Sequence, residues 1–314
     1  MWKIYYKDRI GGQNPDFWGK KLEYLDAGYA KEMGKEDYMT DIFLKYFPKE
    51  EKILDGGCGI GQHVLAYRDL GYQIEGLDFS AEAIETIIKF DHNAPCRRGN
   101  ILQIEAPDSS YECYYSLGVF EHFEEGPLAA IKEAKRILTN KGIFMLNVPY
   151  ENLFRKIKFN ILNFIGKLAG QKYISTNIGL IKKVNKYYKP DKPDKHMKFH
   201  EYICNKKEII DLLTSNGFRI EYSAPCSIIW GLLEIPCMKK IYKLVDNNLR
   251  KNSKSFGHGK GLEKIKKRNL LKDIIIYEKR NGAFKSFFLT LIGHIFGNLF
   301  LVVCRKDIQG IQSA

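Results

Sequence analysis

The 314-residue chain lacks the marks of several protein classes. Its seven cysteines, at 58, 96, 113, 204, 226, 237 and 304, are odd in number and never spaced C-x-x-C. That argues against a disulfide framework or a structural zinc site, and for reduced thiols. The opening Met1-Trp2-Lys3-Ile4-Tyr5-Tyr6-Lys7 has no continuous apolar run, so no secretory leader is expected. Disordered, collagen-like and low-complexity classes are excluded as well. The chain is 45% hydrophobic and 28% charged, enough for the core of one large domain or two small ones.

An unbroken membrane span is also missing. Residues 286–304 (SFFLTLIGHIFGNLFLVVC) approach the length needed, but include His294, Asn298 and two glycines. Phe284, Phe287, Phe288, Leu291, Ile292, Ile295 and Phe296 recur at helical spacing, whereas Leu299-Phe300-Leu301-Val302-Val303 reads as a buried strand. A helix, a break at Gly297 and a strand are expected, in a soluble cytoplasmic protein.

What the chain has in excess is positive charge, +13 from 50 Lys and Arg against 37 Asp and Glu. Residues 151–195 hold 11 basic and 3 acidic residues, and residues 238–285 hold 15 and 4, so the remainder is net acidic. Basic segments of this kind attract phosphate, nucleic acid or anionic lipid. In the first, Phe154, Ile157, Ile161, Ile165 and Leu168 fall on one helical face with Phe164 beside them, and Arg155, Lys156, Lys158 and Lys167 lie elsewhere. Two readings are open: a helix lying in a membrane interface, or a lid helix whose apolar face packs on its own domain. Lys189-Pro190-Asp191-Lys192-Pro193-Asp194 then reads as an exposed linker.

The chemistry is carried further upstream. Lys52-Ile53-Leu54 is a short strand running into Asp55-Gly56-Gly57-Cys58-Gly59-Ile60-Gly61, followed by a helix that Gly71 ends. Tyr72-Gln73-Ile74-Glu75-Gly76-Leu77-Asp78 is a second strand ending in an acid. This is a βαβ unit whose glycines let the backbone turn sharply and a ligand approach it, and whose acid can accept two ribose hydroxyls. The spacing is G-x-G-x-G through Gly57, Gly59 and Gly61, not the G-x-G-x-x-G of dinucleotide folds.

With Asp55 before it, this loop resembles the first motif of the class I S-adenosylmethionine-dependent methyltransferases, those of type 11 in particular. Gly99-Asn100-Ile101 is similar to the family's third strand tip, Tyr111–Leu117 to its fourth strand, and Leu117-Gly118-Val119-Phe120-Glu121-His122-Phe123 to the turn after it. Residues 136–149 resemble the next helix, turn and strand. Phe199-His200-Glu201-Tyr202 and Gly217-Phe218 match the approach to the sixth strand, and 299–303 the reversed seventh. The resemblance covers about residues 50–150, 196–230 and 296–306. Asn100, Glu112 and Lys141 stand where the family more often has Asp, Asp and Gly.

The resemblance implies an α/β fold, a Rossmann-like seven-stranded sheet with helices on both faces and an antiparallel last strand, plus helical insertions. The expected division is an N-terminal helical segment (1–50), a cofactor-binding core (51–150) continued at 199–230, a basic amphipathic lid (151–198), a second basic helical insertion (231–295), and a final strand and tail (296–314). The implied cofactor is S-adenosylmethionine, held by Asp55, Gly57, Cys58, Gly59, Gly61, Asp78, Phe79, Asn100, Ile101, Ser116 and Leu117.

Methyl transfer is in-line attack on an activated methyl group, and a base is needed only for a nucleophile whose proton is of high pKa. His122, after the fourth strand, is the first candidate, with His200 and His196 beyond the insertion. Glu121-His122 resembles part of a metal site in quinone-forming relatives, but the rest of that site is not identifiable, so no metal is expected. Asn147-Val148-Pro149-Tyr150 resembles the [DN]-P-P-[YF] loop of amino-group methyltransferases, yet follows the fifth strand and reads as a strand exit. Aminopropyltransferases share the fold but need an acid pair where this chain has Ser116-Leu117-Gly118.

The expected function is O-methylation of a small-molecule, sugar or lipid- or phosphate-linked acceptor, with an anionic inner-membrane surface as a peripheral partner. An RNA methyltransferase and a catalytically inactive membrane- or partner-binding module are the alternatives. Tyr173, Tyr187, Tyr188, Tyr242 and Tyr277 lie among the basic residues, but no RNA-binding module is appended, so nucleic acid is the weaker partner.

Overall fold

The computed structural model describes residues 1–7, 27–37, 39–176, 179–184, 196–235, 237, 238, 240 and 283–307. In chain order the elements are β1 (Trp2–Lys7), α1 (Ala27–Glu36), α2 (Thr40–Tyr46), β2 (Ile53–Gly56), α3 (Gln62–Asp69), β3 (Ile74–Asp78), α4 (Ala81–Phe90), β4 (Cys96–Arg98) and β5 (Tyr111–Leu117). After a 3-10 turn at Phe120–His122 come α5 (Leu128–Ile137), β6 (Leu138–Pro149), α6 (Leu153–Leu168), β7 (Ile174–Thr176), β8 (Gly179–Lys183) and β9 (Met197–Ile203). The last are α7 (Lys206–Ser215), β10 (Phe218–Cys226), α8 (Ile228–Leu232), α9 (Ala283–Phe296) and β11 (Leu299–Lys306).

Seven strands form one sheet in the order β10-β11-β6-β5-β2-β3-β4. Strands β2 to β6 run parallel, and β11 inserts antiparallel between β6 and β10. This is the mixed α/β sheet with a reversed closing strand that the motifs implied. Side chains alternate across it because successive residues of a strand point to opposite faces. Leu54, Tyr114, Phe144 and Val302 enter one core with Ile131 of α5 and Leu213 of α7. Their neighbours Ile53, Tyr115, Met145 and Val303 enter the other with Val64 of α3, Ala30 of α1 and Phe43 of α2. Covering both faces is what lets the central strands be apolar throughout. The C-terminal reading of helix, break and strand is also what is found: α9 ends one residue before Gly297, where an added Cβ would lie 2.5 Å from the Gly293 carbonyl oxygen.

The N-terminal segment departs from the helical expectation. It opens with β1, which joins a second sheet in the order β7-β8-β1-β9. Trp2 and Ile4 face α6, packing with Phe159, Ile174, Ile181 and Ile203, while Tyr5 faces the main core with Phe199 and Tyr202. The 151–198 insertion is likewise mixed, since β7 and β8 follow its helix. No local pattern announces β1, because its partners lie far along the chain.

Helix α6 forms where the periodicity placed it, with the Asn152 side chain accepting from the Arg155 amide at 2.7 Å as its N-cap. It docks through Arg155, Phe159 and Gly166. Among the described residues Ile157, Ile161, Phe164, Ile165 and Leu168 are exposed, while Phe154 of the same face packs against Phe296 with ring centroids 6.3 Å apart. Buried Arg155 ties the helix down by hydrogen bonds to the carbonyl oxygens of Tyr150 (2.9 Å) and Asn298 (3.3 Å) and by an ion pair with Glu234. The second basic segment lies almost wholly outside the described residues, as do the linker at 189–194 and Tyr187, Tyr188, Tyr242 and Tyr277. Among the described residues no helix is long and apolar enough to cross a membrane.

Candidate functional site

At the carboxyl end of β2 the chain turns through Gly57, Gly59 and Gly61 with φ of +79°, +55° and +72°, left-handed values that favour glycine. The Gly57 and Cys58 amides both donate to the Leu77 carbonyl, at 2.7 and 3.1 Å, which fixes the loop to β3. A Cβ at Gly59 would meet nothing within 4 Å, so this backbone presents an open cradle. At Gly61 a Cβ would press on Ile87 at 2.9 Å; that glycine serves helix packing. Asp78, at the tip of β3, accepts from the Gly59 amide at 2.8 Å and the Ser80 amide at 2.9 Å.

These groups border a cavity of about 730 Å³, within the usual size of a small-molecule site. Of the residues expected to hold a cofactor, Asp55, Gly57, Cys58, Gly59, Asp78, Phe79, Asn100, Ile101 and Leu117 line it, and Gly61 and Ser116 do not. The Ser116 hydroxyl instead donates to the Gly56 carbonyl at 2.6 Å, bracing the loop from β5. Asn100 accepts from the Leu102 amide at 2.9 Å, and its carbonyl oxygen has a second lone pair.

Asp55 is the electrostatic anomaly of the wall. It is buried, and its Oδ2 has no hydrogen-bond partner. Burial pushes its carboxyl up to about 7, with His63 opposing and Asp78 adding to the rise. Asp78 is also raised by burial, against the backbone N–H groups that favour its charge. His63 lies 3.2 Å from Asp37 Oδ2. Burial lowers its pKa, but the Asp37 hydrogen bond and charge outweigh that and leave it raised. An open glycine cradle, a ribose-type acid and an orphaned buried carboxylate together suit a nucleoside carrying a cationic tail.

His122 is buried and lines the same cavity. Its Nδ1 lies 2.7 Å from the His200 carbonyl oxygen. A carbonyl only accepts, so Nδ1 carries a proton, and in the neutral ring the basic nitrogen is Nε2; Nε2 lies 4.0 Å from the Glu121 carboxyl. His200, on β9, packs its ring 5.4 Å from that of His122 without lining the cavity. His196 is exposed at the turn before β9, and the structure does not bring it to the cavity wall. Buried Glu121 has an Oε2 with no hydrogen-bond partner, and burial holds its carboxyl well above the usual range. His122, His200 and Glu201 each place a ligand atom within 4.8 Å of the others. Burial pushes Glu201 up to about 7, with Arg155 opposing and Glu234 adding. The sequence named only Glu121 and His122 and expected no metal; β9 supplies two further donors that could hold a transition-metal ion.

The wall also contains Asp37, Gln62, His63, Glu125, Asn147 and Leu299, which sequence reasoning missed as site residues. Gln62 and His63 had a signal, as the first residues of the helix after the glycine loop. Asn147 had been read as a strand exit; its side chain accepts from the Gly118 amide at 2.7 Å, linking the β5 and β6 tips. Asp37 had none.

A family model described as "Methyltransferase domain" matches residues 54–146. A protein of Mycolicibacterium smegmatis described as "Probable S-adenosylmethionine-dependent methyltransferase" is 25% identical over 97 residues, 31% of this chain and 37% of that protein. An uncharacterized methyltransferase of Schizosaccharomyces pombe is 30% identical over 118 residues, 33% of this chain and 41% of its own length. The matches thus span about two fifths of each of these relatives. A solved S-adenosylmethionine-dependent methyltransferase of Methanosarcina mazei shares 19% identity at a TM-score of 0.43, over 59% of this chain and 87% of that one.

Proposed function

Because residues 54–146 belong to the class I S-adenosylmethionine-dependent methyltransferase family, we propose that this chain methylates a small-molecule acceptor in the cavity shared by the glycine loop and His122. The observation that carries this reading is that shared wall: cofactor-type residues and a histidine whose Nδ1 donates to a carbonyl border one space. Bound there, S-adenosylmethionine supplies an electrophilic methyl group on a sulfonium.

The chain's own residues do the rest. The Gly57–Gly61 backbone gives close approach, Asp78 accepts from ribose hydroxyls, and Asn100 accepts from the adenine amino group. The buried carboxylate of Asp55 receives the cationic methionine end. His122 Nε2 takes the proton of an acceptor hydroxyl, and the His200 carbonyl keeps the imidazole in the tautomer this requires. O-methylation of a sugar or a lipid- or phosphate-linked acceptor accords with this histidine base and with the basic residues around α6.

Calorimetric titration with S-adenosylmethionine and S-adenosylhomocysteine, wild type beside Gly59→Arg, tests the reading. An arginine there would fill the open cradle, so micromolar binding should be lost. Failure of the wild type to bind either ligand would refute the proposal.

A further inference from the structure

Surface helices of globular proteins turn their apolar side chains inward; α6 turns most of its own outward. Leu153, Ile157, Ile161, Phe164, Ile165 and Leu168 are between 48% and 75% exposed. At about 100° per residue they occupy an arc of roughly 120° on the helix. Lys156 and Lys167 border one edge of that arc and Lys158 the other. The opposite arc is anchored. Phe159 packs against Trp2 with ring centroids 5.2 Å apart, and a Cβ at Gly166 would meet Ile174 at 2.8 Å. The helix therefore cannot roll over to hide its apolar side.

We propose that α6 is a docking element that lies flat in the interface of an anionic lipid bilayer, its apolar arc at the acyl boundary and its three lysines among the headgroup phosphates. An apolar centre with lysines at its margins is the arrangement a headgroup layer fits, since lysine stems reach along apolar surface while their ammonium groups stay with the phosphates. The helix contains no Asp or Glu. Self-pairing of this face would therefore set lysine against lysine with no acid between them, which disfavours a second copy. RNA calls for stacked aromatics, and this arc is aliphatic but for the exposed Phe164 and the half-buried Phe154, whose ring packs against Phe296.

The position of α6 ties docking to the cavity. The helix begins four residues after Pro149, the last of β6; Pro149 pairs with Leu299, which lines the cavity. Docking places that edge of the cavity by the membrane surface, so a lipid-linked acceptor reaches it without leaving the bilayer. The docking stands on the helix alone, whereas this role in presenting an acceptor rests on the methyl-transfer reading.

The test is co-sedimentation of the full chain with phosphatidylcholine vesicles, with and without phosphatidylglycerol, at low and high salt. Binding should require the anionic lipid and weaken with salt. The double variant Ile161→Asp/Phe164→Asp should lose on the order of 100-fold in partitioning. Lys156→Gln and Lys167→Gln should each lose about fivefold. Circular dichroism and thermal melting of the same variants report whether they are folded, and S-adenosylmethionine titration is run beside them. Equal binding to neutral vesicles, full binding by the double variant, or salt-steep binding to generic RNA without vesicle binding would overturn the proposal. So would a dimer abolished by the double variant, with no vesicle binding. Vesicle binding without cofactor binding would leave the docking intact and remove the methyl-transfer reading.

Discussion

Replacing Asp55 with asparagine should change how stability depends on pH, by an amount the structure sets. Burial raises this carboxyl from 3.8 to about 7. Between those values the folded protein holds a proton that the unfolded chain has released. Wild-type stability therefore falls as pH rises through this window and levels off above about 7. The full shift of about three units corresponds to on the order of 4 kcal/mol. Asparagine keeps the shape and does not titrate, so the Asp55→Asn variant should gain on wild type by about 2–3 kcal/mol between pH 5 and pH 8. Urea unfolding of both proteins at each pH measures this difference, because groups common to the two cancel. Ligand binding supplies a second arm. A cation beside Asp55 favours the carboxylate, so wild-type affinity for S-adenosylmethionine should rise with pH up to about 7, with proton release seen by calorimetry in buffers of different ionisation enthalpy. The variant should bind more weakly, with no such proton release. Parallel stability curves for the two proteins would refute the account of Asp55 as a buried, raised carboxyl awaiting a cation.

Two further outcomes are expected. With an acceptor in hand, His122→Gln should lower kcat by on the order of 100- to 10,000-fold while the Kd for S-adenosylmethionine stays within about twofold. An equal loss of cofactor binding would make His122 a structural residue. Lys141→Gly should relieve the φ of +68° held by an exposed lysine and, after the greater unfolded-state freedom of glycine, stabilise by about 0.5–1 kcal/mol. A melting scan showing a lower Tm would rule out strain at this turn.

The sequence was legible where structure is made locally. Turn chemistry and short apolar runs mark β2, the glycine loop and β3, because the positive φ of Gly57, Gly59 and Gly61 and the burial of Ile53 and Leu54 are imposed within a few residues of each other. The α9–Gly297–β11 break was legible for the same reason. Most of the residues that the family resemblance assigned to the cofactor line the cavity, whereas Gly61 serves helix packing and Ser116 braces the loop.

Tertiary structure decided what depends on distant partners. Strand β1 exists because Trp2, Ile4 and Tyr5 find partners in β8 and β9, which no window around residue 4 reveals. The tautomer of His122 is fixed by a carbonyl 78 residues away, and the His122–His200–Glu201 donor set needs the second sheet to lay β9 beside the turn after β5. Periodicity showed that α6 had an apolar face, but not which way it points. That direction was settled by the opposite arc, where Arg155, Phe159 and Gly166 bind the helix to the protein and leave Ile157 and Ile161 outside. Local sequence sets dihedral preferences and spacing, whereas orientation and juxtaposition come from packing between segments far apart in the chain.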